Sequence, residues 1–145
     1  MGRTIIDASI AVKWFVAERD SEKALTLRGM YEREKIELVA PNLIYYEVAN
    51  ALRFHPHYKL TEANLLDSIT ALRDMQIVVE PSTDVWLQAF DLAMSEDISV
   101  YDAIYVAMSV VLDARLITSD KKLAEKLSQH VRNRVTLLKE FAASD

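Results

Sequence analysis

Short apolar runs recur along this chain and alternate with stretches of helical periodicity. The runs are "TII" (Thr4–Ile6), "IELVA" (Ile36–Ala40), "QIVVE" (Gln76–Glu80) and "RLITSD" (Arg115–Asp120). Strands that alternate with helices form a parallel sheet with helical crossovers. Strands apolar along nearly their whole length are expected where both sheet faces are covered. The expected fold class is therefore α/β: a three-layer α/β/α sandwich around a short central parallel sheet, in one domain spanning residues 1–145.

The intervening segments carry the helices. Ser9–Val16 and Ser21–Tyr31 are helical in pattern, and Pro41 suits a first helical turn, opening a helix to about Phe54. Pro56 breaks that helix. Thr61 starts another, with Leu65, Ile69 and Leu72 at helical spacing. Ser82–Asp97, Ser99–Ala114 and Lys121–Gln129 are helical again, and "VTLL" (Val135–Leu138) reads as an edge strand. His55–Lys59 is expected to be an exposed loop, and the tail after Phe141 loose.

Composition narrows the chemistry. With no cysteine in 145 residues, disulfides, thiolate catalysis and cysteine zinc sites are excluded. The longest apolar stretch, Ala103–Leu112, is short of a membrane span and is broken by Tyr105 and Ser109. No secretory leader pattern is visible, so a cytoplasmic location without membrane partners is expected. The net charge of −5 argues against a nonspecific nucleic-acid binder, yet suits a pocket of acids whose field a bound cation reverses. The 17 Lys and Arg still suffice for a local phosphate-binding rim.

Four acids stand out. Asp7 follows "TII" directly and Asp120 follows "LITS". Ligands of an open parallel sheet bind outside the carboxyl ends of its strands, so these two acids are expected to share one crevice. Each has a hydroxyl two residues away, Ser9 and Thr118. Glu47 and Asp102 lie in apolar helices with no Lys or Arg three or four residues away. Each acid alone has a plain structural account. Asp7 and Asp120 are good helix caps, Glu47 can pair with a distant Arg53 or Arg115, and Asp102 can favour a helix dipole. Four such accounts at one sheet edge are less economical than a shared cation. An all-oxygen donor set suits Mg²⁺ or Mn²⁺, which can activate a water for in-line attack on a phosphodiester.

The segments "IIDASIAVKWFVAE", "PNLIYYEVANAL" and "SVYDAIYVAMSVVLDARLITSDKKLA" together resemble the PIN domain, and within it the VapC-type ribonucleases of toxin–antitoxin pairs. The matching segments run in the family's order from Ile5 to about Leu127. The resemblance implies a metal-dependent endoribonuclease acting on single-stranded or looped RNA. Its acidic quartet falls on Asp7, Glu47, Asp102 and Asp120, as catalytic and metal-binding residues. Ser9, Asn50 and Thr118 match positions that support the metal or its waters. Homodimers and a cognate antitoxin protein are implied as well.

Other residues have two readings each. Lys13 can reach a phosphate, or be a solvated lysine beside a core Trp14. His55 and His57 can meet a metal or RNA, though an ordinary polar loop is the simpler reading. Tyr45, Tyr46, Tyr101 and Tyr105 can stack on bases, with core or dimer packing favoured. Two other functions compete with the nuclease. A PIN-like module can act through a protein partner without catalysis. A flavodoxin-like phosphoacceptor domain would need an aspartate at the end of its middle strand, which "QIVVEPS" lacks.

Overall fold

A computed structural model describes residues 2–143. Five parallel strands form one sheet: β1 (Gly2–Ile6), β2 (Ile36–Pro41), β3 (Val78–Val79), β4 (Arg115–Thr118) and β5 (Val135–Leu137). The helices are α1 (Ala8–Phe15), α2 (Ser21–Glu32), α3 (Leu43–Arg53), α4 (Glu62–Asp74), α5 (Thr83–Ser95), α6 (Val100–Val111), α7 (Lys121–Lys126) and α8 (Gln129–Arg132), followed by a 3-10 turn at Leu138–Glu140.

The strand order is β3-β2-β1-β4-β5. The chain builds outward from β1 to one edge, then returns to the other side of β1 with β4. Strand order therefore reverses between β1 and β4, the point where an open parallel sheet receives its ligands, at the carboxyl ends of the strands.

Alternation along the central strands makes two cores. Ile5 and Leu116 face one side and pack with α5, α6, α7 and α8, through residues such as Leu92, Ile104, Met108 and Leu123. Ile6 and Ile117 face the other and pack with α1 to α4, through Ile10, Leu27, Ile44 and Leu72. Period-two side-chain alternation, with both faces buried, is what yields the three-layer sandwich. Trp14 ties α1 to α2 by donating its indole N–H to the Ala24 carbonyl at 2.8 Å. Among the described residues no helix is long and apolar enough to cross a membrane.

Three expectations are corrected. Pro41 does not open a helix: it is the last residue of β2, opposite Val79. The amides facing β3 belong to Ala40 and Asn42, which donate to Ile77 and Val79, so the proline's missing N–H costs that ladder nothing. The loop at His55–Lys59 is not uniformly exposed, because the His55 side chain is only 4% exposed and its Nε2 lies 2.6 Å from Glu18 Oε2. The helix expected over Lys121–Gln129 is divided into α7 and α8 by Leu127, whose backbone is extended. Of the tail after Phe141, residues 144–145 lie outside the described residues.

Candidate active site

Asp7 sits where β1 ends and α1 begins, at the reversal point of the sheet. Its backbone is extended, and its carboxylate accepts the Ser9 amide at 3.1 Å and the Ser9 hydroxyl at 2.5 Å, both on Oδ1. Thr118, the last residue of β4, donates its hydroxyl to the other oxygen, Oδ2. The helix cap and the crevice acid are thus one residue: the cap turns Asp7 out of the strand and into the crevice. Ser9 serves Asp7 from within the first turn.

Ser9 and Thr118 also bind the β4–α7 connection. The Ser119 amide donates to Ser9 Oγ at 2.8 Å, and the Asp120 amide to Thr118 Oγ1 at 3.0 Å. Asp120 caps α7 through Oδ1, which accepts the Leu123 amide at 3.0 Å. Two strand-end acids are therefore fastened to one another through two hydroxyls. The supporting positions Ser9 and Thr118 lie at the site. Asn50 stands one turn beyond Glu47, exposed, and makes no side-chain hydrogen bond among the described residues.

Glu47 and Asp102 come from helices on opposite sides of the sheet. Glu47 is on α3 and accepts the Tyr105 hydroxyl of α6 at 2.6 Å on Oε1. Asp102 is in the first turn of α6, whose N-cap Ser99 accepts the Asp102 amide at 3.0 Å. Neither arginine offered as a partner for Glu47 takes that part. Arg53 lies over the Phe54 ring, and Arg115 donates to the Asn133 carbonyl and Thr136.

Electrostatics follows from this crowding. Burial pushes the Asp7 carboxyl up to about 6, opposed by its bonds from Ser9 and Thr118 and reinforced by the charges of Glu47 and Asp120. Burial likewise raises Glu47, with repulsion from Asp102 adding to it against the Tyr105 bond. Asp102 is raised by burial and then by Asp120, against the Ser99 bond and the Lys126 charge. Asp7, Glu47 and Asp102 each feel another acid, and no salt bridge among the described residues involves any of the four. No three acids or histidines among the described residues stand close enough for a ready-made metal cage. A hard cation that keeps most of its waters needs only one or two carboxylates directly, so this donor set fits Mg²⁺ or Mn²⁺.

Tyr105, expected to pack in the core, does so and adds a contact to the acids that its sequence position left unread. It is buried, at 3% exposure, and also holds Glu47. Its position three residues after Asp102 was the available signal, since residues three apart share a helix face. Tyr46 and Tyr101 are exposed, whereas Tyr45 packs against the core on the α1–α4 side. Lys13 is not solvated: its side chain is 10% exposed and lies 3.4 Å from Glu18.

Acids gathered at the reversal point of a five-stranded parallel sheet, with helices on both faces, define a small α/β domain of the PIN kind. The chain belongs to the PIN domain family, whose signature matches residues 4–126. It is similar to ribonuclease VapC3 of Pyrobaculum aerophilum, 31% identical over 128 residues that cover 86% of this chain and 94% of that protein. It is similar also to ribonuclease VapC1 of Mycobacterium tuberculosis, 30% identical over 128 residues, 86% of this chain and 90% of that protein. In structure it resembles a toxin–antitoxin complex from Klebsiella pneumoniae, with a TM-score of 0.68 at 19% identity, covering 95% of this chain and 99% of that one.

Proposed function

We infer that this chain is an endoribonuclease, a hydrolase that cuts phosphodiester bonds of single-stranded or looped RNA, and that it serves as the toxin of a toxin–antitoxin pair. The observation that carries this reading is that Asp7, Glu47, Asp102 and Asp120 stand near enough to repel one another at one sheet edge, with no salt bridge to any of them among the described residues. The two relatives named as ribonucleases support the substrate class. The fold shared with a toxin–antitoxin complex supports a protein partner. An RNA substrate goes with action in the cytoplasm.

Mg²⁺ or Mn²⁺, held by Asp7 and Asp102 with Asp120 and Glu47 completing the site or ordering waters, would supply an acidified water and charge neutralisation on the phosphate. The chain's own residues fix the donors. Ser9 and Thr118 hold the Asp7 carboxylate by both oxygens, and Tyr105 holds one oxygen of Glu47. Asp120 commits Oδ1 to its helix, which leaves Oδ2 as the oxygen that would serve a cation. Asn50, exposed one turn beyond Glu47, would order water at the rim. An exposed apolar face on α5, with Trp86, Leu87, Phe90 and Met94, supports a homodimer.

The phosphoacceptor reading has no support, because β3 ends at Val79 and is followed by Glu80 and Pro81, with no aspartate. Asp7→Asn tests the nuclease reading: cleavage of an RNA panel in the presence of Mn²⁺ is expected to be lost while circular dichroism stays unchanged. Undiminished cutting by that variant would overturn the assignment.

A further inference from the structure

Beside the acid crevice lies a cavity of about 340 Å³ with the opposite charge. Lys13, Arg19, Lys121 and Lys139 line it, with Asp20 and Ser119 between them. Four cations against one acid is a local positive excess in a chain whose net charge is −5. Asp20 faces the cavity without capping α2 by its side chain, and Lys13 shares its charge with Glu18 at 3.4 Å. Lys121 reaches Glu125 only at 3.8 Å, with both side chains largely exposed.

The cavity is joined to the crevice through the backbone. Ser119 stands between Thr118 and Asp120, and its amide holds Ser9, which holds Asp7. Lys121 is the first residue of α7, next to its cap Asp120. Lys13 lies six residues beyond Asp7, about 9 Å along α1 at 1.5 Å per residue. A polyanion seated with one phosphate at the acids would therefore have these cations within reach of its backbone.

We propose that this cavity is a phosphate subsite of the RNA, gripping the backbone at a phosphate adjacent to the one cut and so positioning the strand in a crevice that would otherwise repel it. The proposal rests on the ribonuclease reading for its substrate. A grip of this kind positions without reading sequence, because every nucleotide offers the same phosphate.

Arg19, Lys121 and Lys139 are exposed, so their neutral replacements leave the core intact. The test compares the wild type with Arg19→Gln/Lys121→Gln/Lys139→Gln. A control of equal charge change, Arg33→Gln/Lys35→Gln/Arg73→Gln, lies ahead of the amino ends of β2 and β3. Binding of fluorescent single-stranded RNAs of differing sequence is followed by anisotropy across a salt series without added metal. The slope of log K against log salt is expected to become shallower in the cavity variant by about 0.7 for each phosphate no longer neutralised, equally for all sequences. Where the wild type cuts RNA, KM should rise about tenfold with kcat little changed, as when uniform binding is removed. The control should match the wild type in both. An unchanged slope, an equal change in the control, or a defect confined to kcat or to binding of an antitoxin protein would overturn the subsite. If the wild type cuts no RNA, the ribonuclease reading fails, while the salt slope still judges the cavity.

Discussion

Asp7 carries opposing demands in one side chain. It caps α1 and accepts from Ser9 and Thr118, yet its charge is buried among other acids. Its folded carboxyl is raised from 3.8 to about 6, so between those values the folded chain holds a proton that the unfolded chain has released. Stability must then fall as pH rises through that window, and the cost above it is on the order of 3 kcal/mol. In the metal-free protein, Asp7→Asn should therefore raise the urea midpoint at pH 7.5 relative to wild type, and the gain should vanish near pH 4. A variant less stable than wild type at both pH values would show that the bonds to the carboxylate outweigh its burial. An asparagine can keep the geometry, since its amide donates where Thr118 now does and the hydroxyl turns acceptor.

At the scale of elements, α6 shows how a cap doubles as a positioning device. Ser99 holds the amide of Asp102 itself, so the turn that starts the helix also aims the acid. Ser99→Ala should cost about 1 kcal/mol in denaturant unfolding and weaken Mn²⁺ binding measured by calorimetry. Intact Mn²⁺ affinity at that stability cost would confine Ser99 to a capping role. Much of this organisation was legible from residues. "TII" and "LITS" mark strands by composition, and an acid directly after each falls at the carboxyl edge whatever the details of the fold. The relation of Asp7 to Thr118 was not legible, because it depends on β1 and β4 being neighbours, and strand order is not written in local pattern. Pro41 misled because a proline suits both a first helical turn and the end of a strand whose ladder faces away. His55 misled because a polar loop flanking a proline gives no hint that Glu18, 37 residues earlier, lies against it.

The whole molecule sets one charge pattern against another: a group of acids that, among the described residues, forms no salt bridge, and a basic cavity joined to it by Ser119. The crowded acids make the metal-free protein less stable than its cores would allow, so a cation that binds only the folded chain must stabilise it. At a hundredfold excess over its dissociation constant the gain is about 2.7 kcal/mol, or about 5–10 °C in Tm for a domain of this size. Differential scanning fluorimetry at pH 7.5 should show that rise with Mn²⁺ for wild type and little of it for Asp7→Asn/Asp102→Asn. Equal rises in both proteins would place the cation elsewhere. The parallel pairing of β1 with β4 has a consequence in time as well. Asp7 leaves the ribosome 111 residues ahead of the Thr118 hydroxyl that holds it. At roughly 5–20 residues per second, several seconds pass in which the first half of the site has no second half. A nascent chain of this design is disarmed by its own topology until translation has carried it past β4.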